Sequence, residues 1–142
     1  MSTDKTTSSP RKKALGYSRA MRLVRTGDFD RAFRAGSRAR AGVLLVVVNE
    51  NSLGHSRLGL SIGKRIWRKA HRRNRLRRLF REAFRLEYDA LPQGLDMILI
   101  PAAVGLETSL QDLRKELVSL SHKAHKRLLE KRANEKPAEP QA

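Results

Sequence analysis

Residues 64–85 read KRIWRKAHRRNRLRRLFREAFR, and two patterns are superimposed in them. Leu76, Leu79, Phe80, Ala83 and Phe84 recur at helical spacing and define a stripe that faces a core. At about 100° per residue, Asn74, Arg78, Arg81 and Arg85 lie on the opposite side, flanked by Arg75 and Arg77. Eleven basic residues (Lys64, Arg65, Arg68, Lys69, Arg72, Arg73, Arg75, Arg77, Arg78, Arg81 and Arg85) are opposed only by Glu82. A solvated basic face would need no apolar stripe beneath it. A helix with both patterns is anchored on one side and holds guanidinium groups on the other. Fixed arginines match phosphate oxygens through paired, charge-assisted hydrogen bonds, and Arg outnumbers Lys here, which favours phosphate contact over mere solubility. Asn74 adds a neutral donor and acceptor. The pattern reaches a binder of RNA or DNA and stops there.

Outward from this helix the periodicity alternates. Upstream, residues 57–62 (RLGLSI) set Leu58, Leu60 and Ile62 against Arg57, Gly59 and Ser61, the alternation of a half-buried strand. Residues 49–56 (NENSLGHS) carry turn chemistry, and the β-branched run at 43–48 reads as a buried strand. Before it, TGDFDRAFRAG predicts a short helix, with Thr26 or Asp28 as its cap, Phe29 and Phe33 four apart on one face, and Gly36 at its end. Downstream, Pro92 and Gly94 punctuate the end of the long helix, which runs from near Ala70 to Tyr88, and 95–100 (LDMILI) makes a strand. Thr108 and Gln111 form a capping box for a last helix striped by Leu110, Leu113, Leu117, Leu120, Ala124 and Leu128. The order is α-β-β-α-β-α, to which residues 38–41 can add a strand, and helices stacked on one face of a small mixed sheet bury these stripes most simply. The expected class is an α/β (α+β) sandwich. One domain is expected over 15–133, with polar flexible tails at 1–14 and 134–142.

The chain has 142 residues, Lys+Arg 31 against Asp+Glu 14, and a net charge of +17. Such an excess on one small body persists where a polyanion neutralises it, so nucleic acid leads and an anionic membrane surface competes. A count of zero Cys excludes disulfides and thiolate metal sites and suits a reducing compartment. The N-terminus lacks the apolar run of a signal peptide, and no stretch approaches the roughly 20 residues that span a bilayer, so a cytoplasmic protein is expected.

The run Arg73-Asn74-Arg75-Leu76-Arg77-Arg78-Leu79-Phe80-Arg81-Glu82-Ala83-Phe84-Arg85 resembles the signature of the ribonuclease P protein family. The strand from Arg57 to Ile62 with the basic pair Lys64-Arg65 is similar to what precedes that signature. The segment with Asp28, Phe29, Phe33 and Gly36 resembles the family's first helix, and 95–100 its last strand. The likeness runs from about residue 20 to residue 130 in the right order.

The resemblance implies a sandwich with a left-handed β-α-β crossover, opposite to the general rule. It implies an accessory subunit of a ribonucleoprotein endoribonuclease, whose RNA subunit requires Mg2+ and removes the 5′ leader from precursor tRNA. Lys64, Arg65, Arg68, Lys69, Arg73, Asn74, Arg75, Arg77, Arg78 and Arg81 are then expected to face the catalytic RNA. Phe29 and Phe33 match aromatic positions of a leader cleft, although aromatics at i and i+4 are equally at home in a core. Val47 stands where family members often carry an aromatic. Trp67 either stacks on a nucleotide or plugs the end of the sandwich.

No catalytic or metal-binding set is visible in the protein. His55, His71, His122 and His125 are scattered, the two on the last helix are expected to be solvated, and Asp96 has no paired carboxylate at ligand spacing. No cofactor motif and no obligatory protein partner is evident. Competing readings are a ribosomal or RNA-chaperone protein and a DNA-binding regulator. The regulator would need two closely spaced helices, where strands intervene here.

Overall fold

The structure, a computed structural model, describes residues 21–23 and 25–135. The N-terminal tail expected at 1–14 and all but Asn134 and Glu135 of the C-terminal one lie outside those residues. The elements are α1 (Thr26–Ala35), β1 (Ser37–Ala41), β2 (Leu44–Glu50), β3 (Arg57–Leu60), α2 (Ala70–Glu87), a 3-10 turn (Tyr88–Ala90), β4 (Leu95–Pro101) and α3 (Leu110–Glu135). Asn134 and Glu135 thus close α3 rather than opening a tail.

The sheet is mixed and its order is β1-β2-β4-β3. β1 and β2 form a hairpin, Ala41 opposite Leu44, and β2 runs antiparallel to β4, Leu44 opposite Pro101. β3 lies parallel to β4, Arg57 beside Asp96, so α2 is the crossover of a β-α-β unit. Along the outer side of β3, Leu23 N–H donates to Leu58 O at 2.9 Å.

Side chains alternate across a strand, and both faces of this sheet are used. On one face Leu44, Val46, Val48, Leu58, Met97 and Leu99 pack with the buried stripes of α2 (Leu76, Phe80, Ala83, Phe84) and α3 (Leu113, Leu117, Leu120, Ala124, Leu128). On the other face Val47 and Ile98 pack with Leu23, Ala32 and Phe29. The helices are therefore not all on one face. α2 and α3 share one layer and α1 covers part of the opposite one, because β2 and β4 are apolar at consecutive positions rather than alternately.

Local chemistry sets the ends of the helices. α1 begins at Thr26 with Arg25 as its cap and no side-chain cap bond, so neither Thr26 nor Asp28 caps it. Gly36 does end α1, donating its N–H to Ala32 O at 2.9 Å. Its φ of −85° is ordinary; glycine is needed because a Cβ would stand 2.2 Å from Val48 O. At the start of α3 the cap is Ser109, one residue later than the expected Thr108. Ser109 Oγ accepts from Asp112 N–H at 3.1 Å.

A buried ionic knot ties the two layers together. Asp96 is 2% exposed and receives Arg57 Nε and Nη2, both at 2.8 Å, and Asn51 Nδ2 at 3.0 Å. Arg57 Nη2 also reaches Asp28 on α1 at 3.4 Å. The hydrogen bond to Asp96 holds the guanidinium pKa above its ordinary value, against the opposing effect of burial. Asp96→Ala leaves the half-buried Arg57 with only its longer pair to Asp28 and is expected to cost about 3 kcal/mol in urea denaturation. Glu107→Ala, which breaks only the exposed pair with Arg72, is expected to cost less than about 0.5 kcal/mol.

Candidate nucleic-acid interface

α2 is held by its apolar stripe, so its other side keeps a fixed direction. Asn74, Arg75, Arg78 and Arg81 are exposed along it, and Lys64, Arg65, Arg68 and Lys69 are exposed in the turn that leads into it. The first turn of α2 has no acidic residue and Lys69 caps it without a side-chain bond. Positive side chains at the positive end of a helix are unfavourable in an isolated helix. The same arrangement, cations gathered round a helix N-terminus, suits an anion.

Two of the expected contact residues are drawn inward. Arg73 Nη1 donates to Trp67 O at 2.9 Å and to Arg68 O at 2.8 Å. Arg77 donates to Asn74 Oδ1 at 2.8 Å and Ile62 O at 3.2 Å. These half-buried guanidiniums brace the basic turn onto the helix and leave only part of their donors facing outward. At the far end Arg85 pairs with Glu82 at 2.5 Å, and that hydrogen bond lowers the Glu82 pKa. The outward charge of the ridge is therefore carried chiefly by Arg75, Arg78 and Arg81.

On the α1 side of the sheet, Phe33 is exposed and Phe29 half-buried. Phe29 lies against Gly59, where a Cβ would come within 2.8 Å of its ring. Val47 is fully buried beneath α1, so it packs under this surface and offers a ligand nothing. Sequence reasoning missed two residues here. Arg38 and Arg40 stand opposite Val47 and Leu45, flank the core-facing Ala39, and are exposed on the α1 face. They donate to Phe33 O at 3.3 Å and Ala102 O at 2.8 Å. The Arg-Ala-Arg-Ala alternation at 38–41 was the signal for them. Phe33 and the half-buried Leu45 and Ile100 thus form an apolar floor with a cationic rim.

Trp67 is half-buried at the end of the sandwich, and its indole N–H donates to Leu106 O at 2.9 Å. His122 Nε2 lies 2.7 Å from Ala90 O, so this histidine has a backbone partner rather than water alone. Among the described residues, no group of three or more His, Cys, Asp or Glu side chains gathers as a metal site, and no helix is long and apolar enough to cross a membrane.

A sheet with two helices on one face and one on the other, carrying a guanidinium ridge and a cation-rimmed apolar floor, defines a basic α/β nucleic-acid-binding module. The sequence model of ribonuclease P matches residues 17–125, and the chain belongs to the ribonuclease P protein family. The ribonuclease P protein component of Salmonella paratyphi A is 40% identical over 86 residues, 61% of this chain and 71% of that one. That of Nitrosococcus oceani is 40% identical over 88 residues, 62% and 73% of the two chains. Among solved structures, the RNase P protein of Thermotoga maritima in complex with 1-(4-fluorophenyl)-2-thiourea aligns with a TM-score of 0.63 and 31% identity, covering 69% of this chain and 94% of that one. The Staphylococcus aureus RNase P protein aligns with a TM-score of 0.62 and 25% identity, covering 70% and 90%.

The two kinds of arginine separate by experiment. Arg73→Ala is expected to lower stability by about 1 kcal/mol, since charge-assisted bonds to two carbonyls are lost at a partly exposed site. Arg78→Ala, whose side chain has no hydrogen bond or ion pair among the described residues, is expected to leave the melting temperature unchanged. In a carboxyl NMR titration Glu82 should titrate below an ordinary glutamate, and Arg85→Ala should return it to the usual range. The sign follows from the depressed pKa. The pair's stabilisation is present above the unfolded-state pKa and is lost as pH falls through the folded one.

Proposed function

We propose that this chain is the protein subunit of ribonuclease P and acts in tRNA processing by binding the catalytic RNA and the 5′ leader of precursor tRNA. The observation that carries this reading is the anchored arginine ridge of α2, in a chain that belongs to the ribonuclease P protein family. The RNA subunit performs the cleavage and holds the Mg2+ that the reaction needs. The protein's contribution is electrostatic and geometric. Two polyanions must approach one another, and the ridge neutralises phosphates of the RNA subunit, releasing their condensed counterions.

Exposed Lys64, Arg65, Arg68 and Lys69 extend this contact beyond the helix, while Arg73 and Arg77 keep the basic turn in place for it. The leader lies along the α1 face, its backbone following Arg38 and Arg40 and a base stacking on Phe33. The ribosomal, RNA-chaperone and DNA-regulator readings are not favoured. The regulator in particular requires adjacent helices, and three strands separate α1 from α2.

Protein rigorously freed of RNA should cleave no precursor tRNA, and adding the cognate RNA subunit should give cleavage at low magnesium. Metal-dependent cleavage by the protein alone would refute the assignment. Phe33→Ala is expected to weaken precursor binding by about 1–3 kcal/mol, while mature tRNA, which lacks the leader, binds unchanged. Parallel loss for both ligands together with a large drop in melting temperature would show Phe33 to be core. Val47→Tyr should unfold the sheet, because a fully buried valine beneath α1 has no room for a ring.

A further inference from the structure

On the other flank of α2, away from α1, lies a hollow of about 310 Å3 lined by Trp67, Arg72, Arg75, Leu76, Leu79 and Leu106, with Glu107 and Thr108 at its edge. We propose that this hollow receives one unstacked nucleotide of the RNA on which the ridge docks, its base stacking on the indole of Trp67. The proposal rests on the function proposed above and adds a site to it.

The indole is held in one orientation by its N–H bond to Leu106 O, so its ring presents a fixed surface to the hollow. A planar group already reaches that surface: the Arg72 guanidinium sits 4.8 Å from the ring centroid. It is kept there weakly. Its ion pair with Glu107 is 3.1 Å long, and the two side chains are 38% and 71% exposed. The exposed ion pair and the exposed cation–π contact are together worth about as much as stacking of a base on an aromatic ring, and a phosphate gives the displaced guanidinium a stronger partner than Glu107. A base therefore displaces the guanidinium, and Arg72 turns to the phosphate. Leu76, Leu79 and Leu106 supply apolar walls for the rest of the base. Arg75 is exposed and carries no ion pair among the described residues, so it meets the same phosphate from the helix side. The Glu107 carboxylate, once released, accepts from an amino group on the base edge.

Trp67 is the only Trp of the chain, so the emission of the full-length protein reports on this hollow alone. The protein is titrated with its cognate ribonuclease P RNA and, in parallel, with inorganic polyphosphate, a polyanion without bases. The expected result is quenching of Trp67 and shielding from acrylamide that saturate with RNA binding measured by gel shift, and no quenching by polyphosphate. Trp67→Leu should lower RNA affinity about tenfold, and Trp67→Phe, which keeps a stacking ring, should retain most of it. Melting temperatures of both variants separate lost stacking from lost folding, and if Trp67→Leu does not fold, the emission of the unaltered protein decides. RNA binding that leaves the emission unchanged, or equal quenching by polyphosphate, overturns the pocket and leaves the subunit assignment standing. Absence of any RNA binding in the gel shift overturns the assignment and the pocket with it.

Discussion

Leu76, Phe80, Ala83 and Phe84 lose nearly all contact with water when α2 lies on the sheet, and Phe84 meets Tyr88 edge-on with ring centroids 5.5 Å apart. Burial of this stripe opposes everything else in the α2 sequence. The helix begins without a side-chain cap, carries cations at its positive end and crowds arginines at neighbouring positions. Each large apolar side chain buried contributes about 2 kcal/mol, whereas each exposed like-charge neighbour costs a few tenths. The apolar term wins, and charges that would otherwise spread apart are kept on one line. A flexible basic tail with the same composition would have the charge without the geometry.

The opposite face of the sheet depends on a smaller set of contacts. α1 is held by Phe29 and Ala32 over Val47 and Ile98, and by the reach of Arg57 from Asp96 to Asp28. Gly59 lets the Phe29 ring approach β3 closely, and Gly36 lets the chain turn from α1 into β1 beside the Val48 carbonyl. The layer is thinner than the one beneath α2, which leaves Phe33, Leu45 and Ile100 partly open between α1 and the arginines of β1. One module thereby carries a ridge on one side and a floor on the other, and the two are linked by the β3-α2-β4 crossover.

The helices and strands of this chain were legible because their apolar spacing repeats: the α2 stripe, the α3 stripe and the strands expected at 43–48 and 95–100 all form, although Asn49 and Glu50, expected in the turn, pair with Asp96 and Leu95 and lengthen the strand to Leu44–Glu50. The outward arginines followed from the same spacing. What the spacing could not convey is the partner across the fold. Arg73 and Arg77 turn to backbone carbonyls, a choice that depends on how the preceding turn folds. Arg57 and Asp96 are 39 residues apart in sequence and meet only because β3 and β4 are parallel neighbours. Ser56 is wholly buried, donating to Pro92 O and accepting from Leu95 N–H, and nothing in NENSLGHS marks it as more than a turn residue. The position of α1 on the second face was hidden for a related reason. Val47 and Ile98 sit within continuous apolar runs, which show that both faces are covered without showing by what.

The central claim is that arginines fixed on an anchored helix, rather than net charge at large, hold the RNA. The salt dependence of affinity for the cognate ribonuclease P RNA tests it most directly, because the slope counts phosphates neutralised. Single Arg75→Ala, Arg78→Ala and Arg81→Ala variants should each reduce the slope by about one. Arg132→Ala, which removes a cation of α3 bonded to Asn49 Oδ1 at 2.9 Å, should leave it unchanged. Equal reductions at all four positions would mean that the charge acts as a diffuse cloud, and would contradict the account.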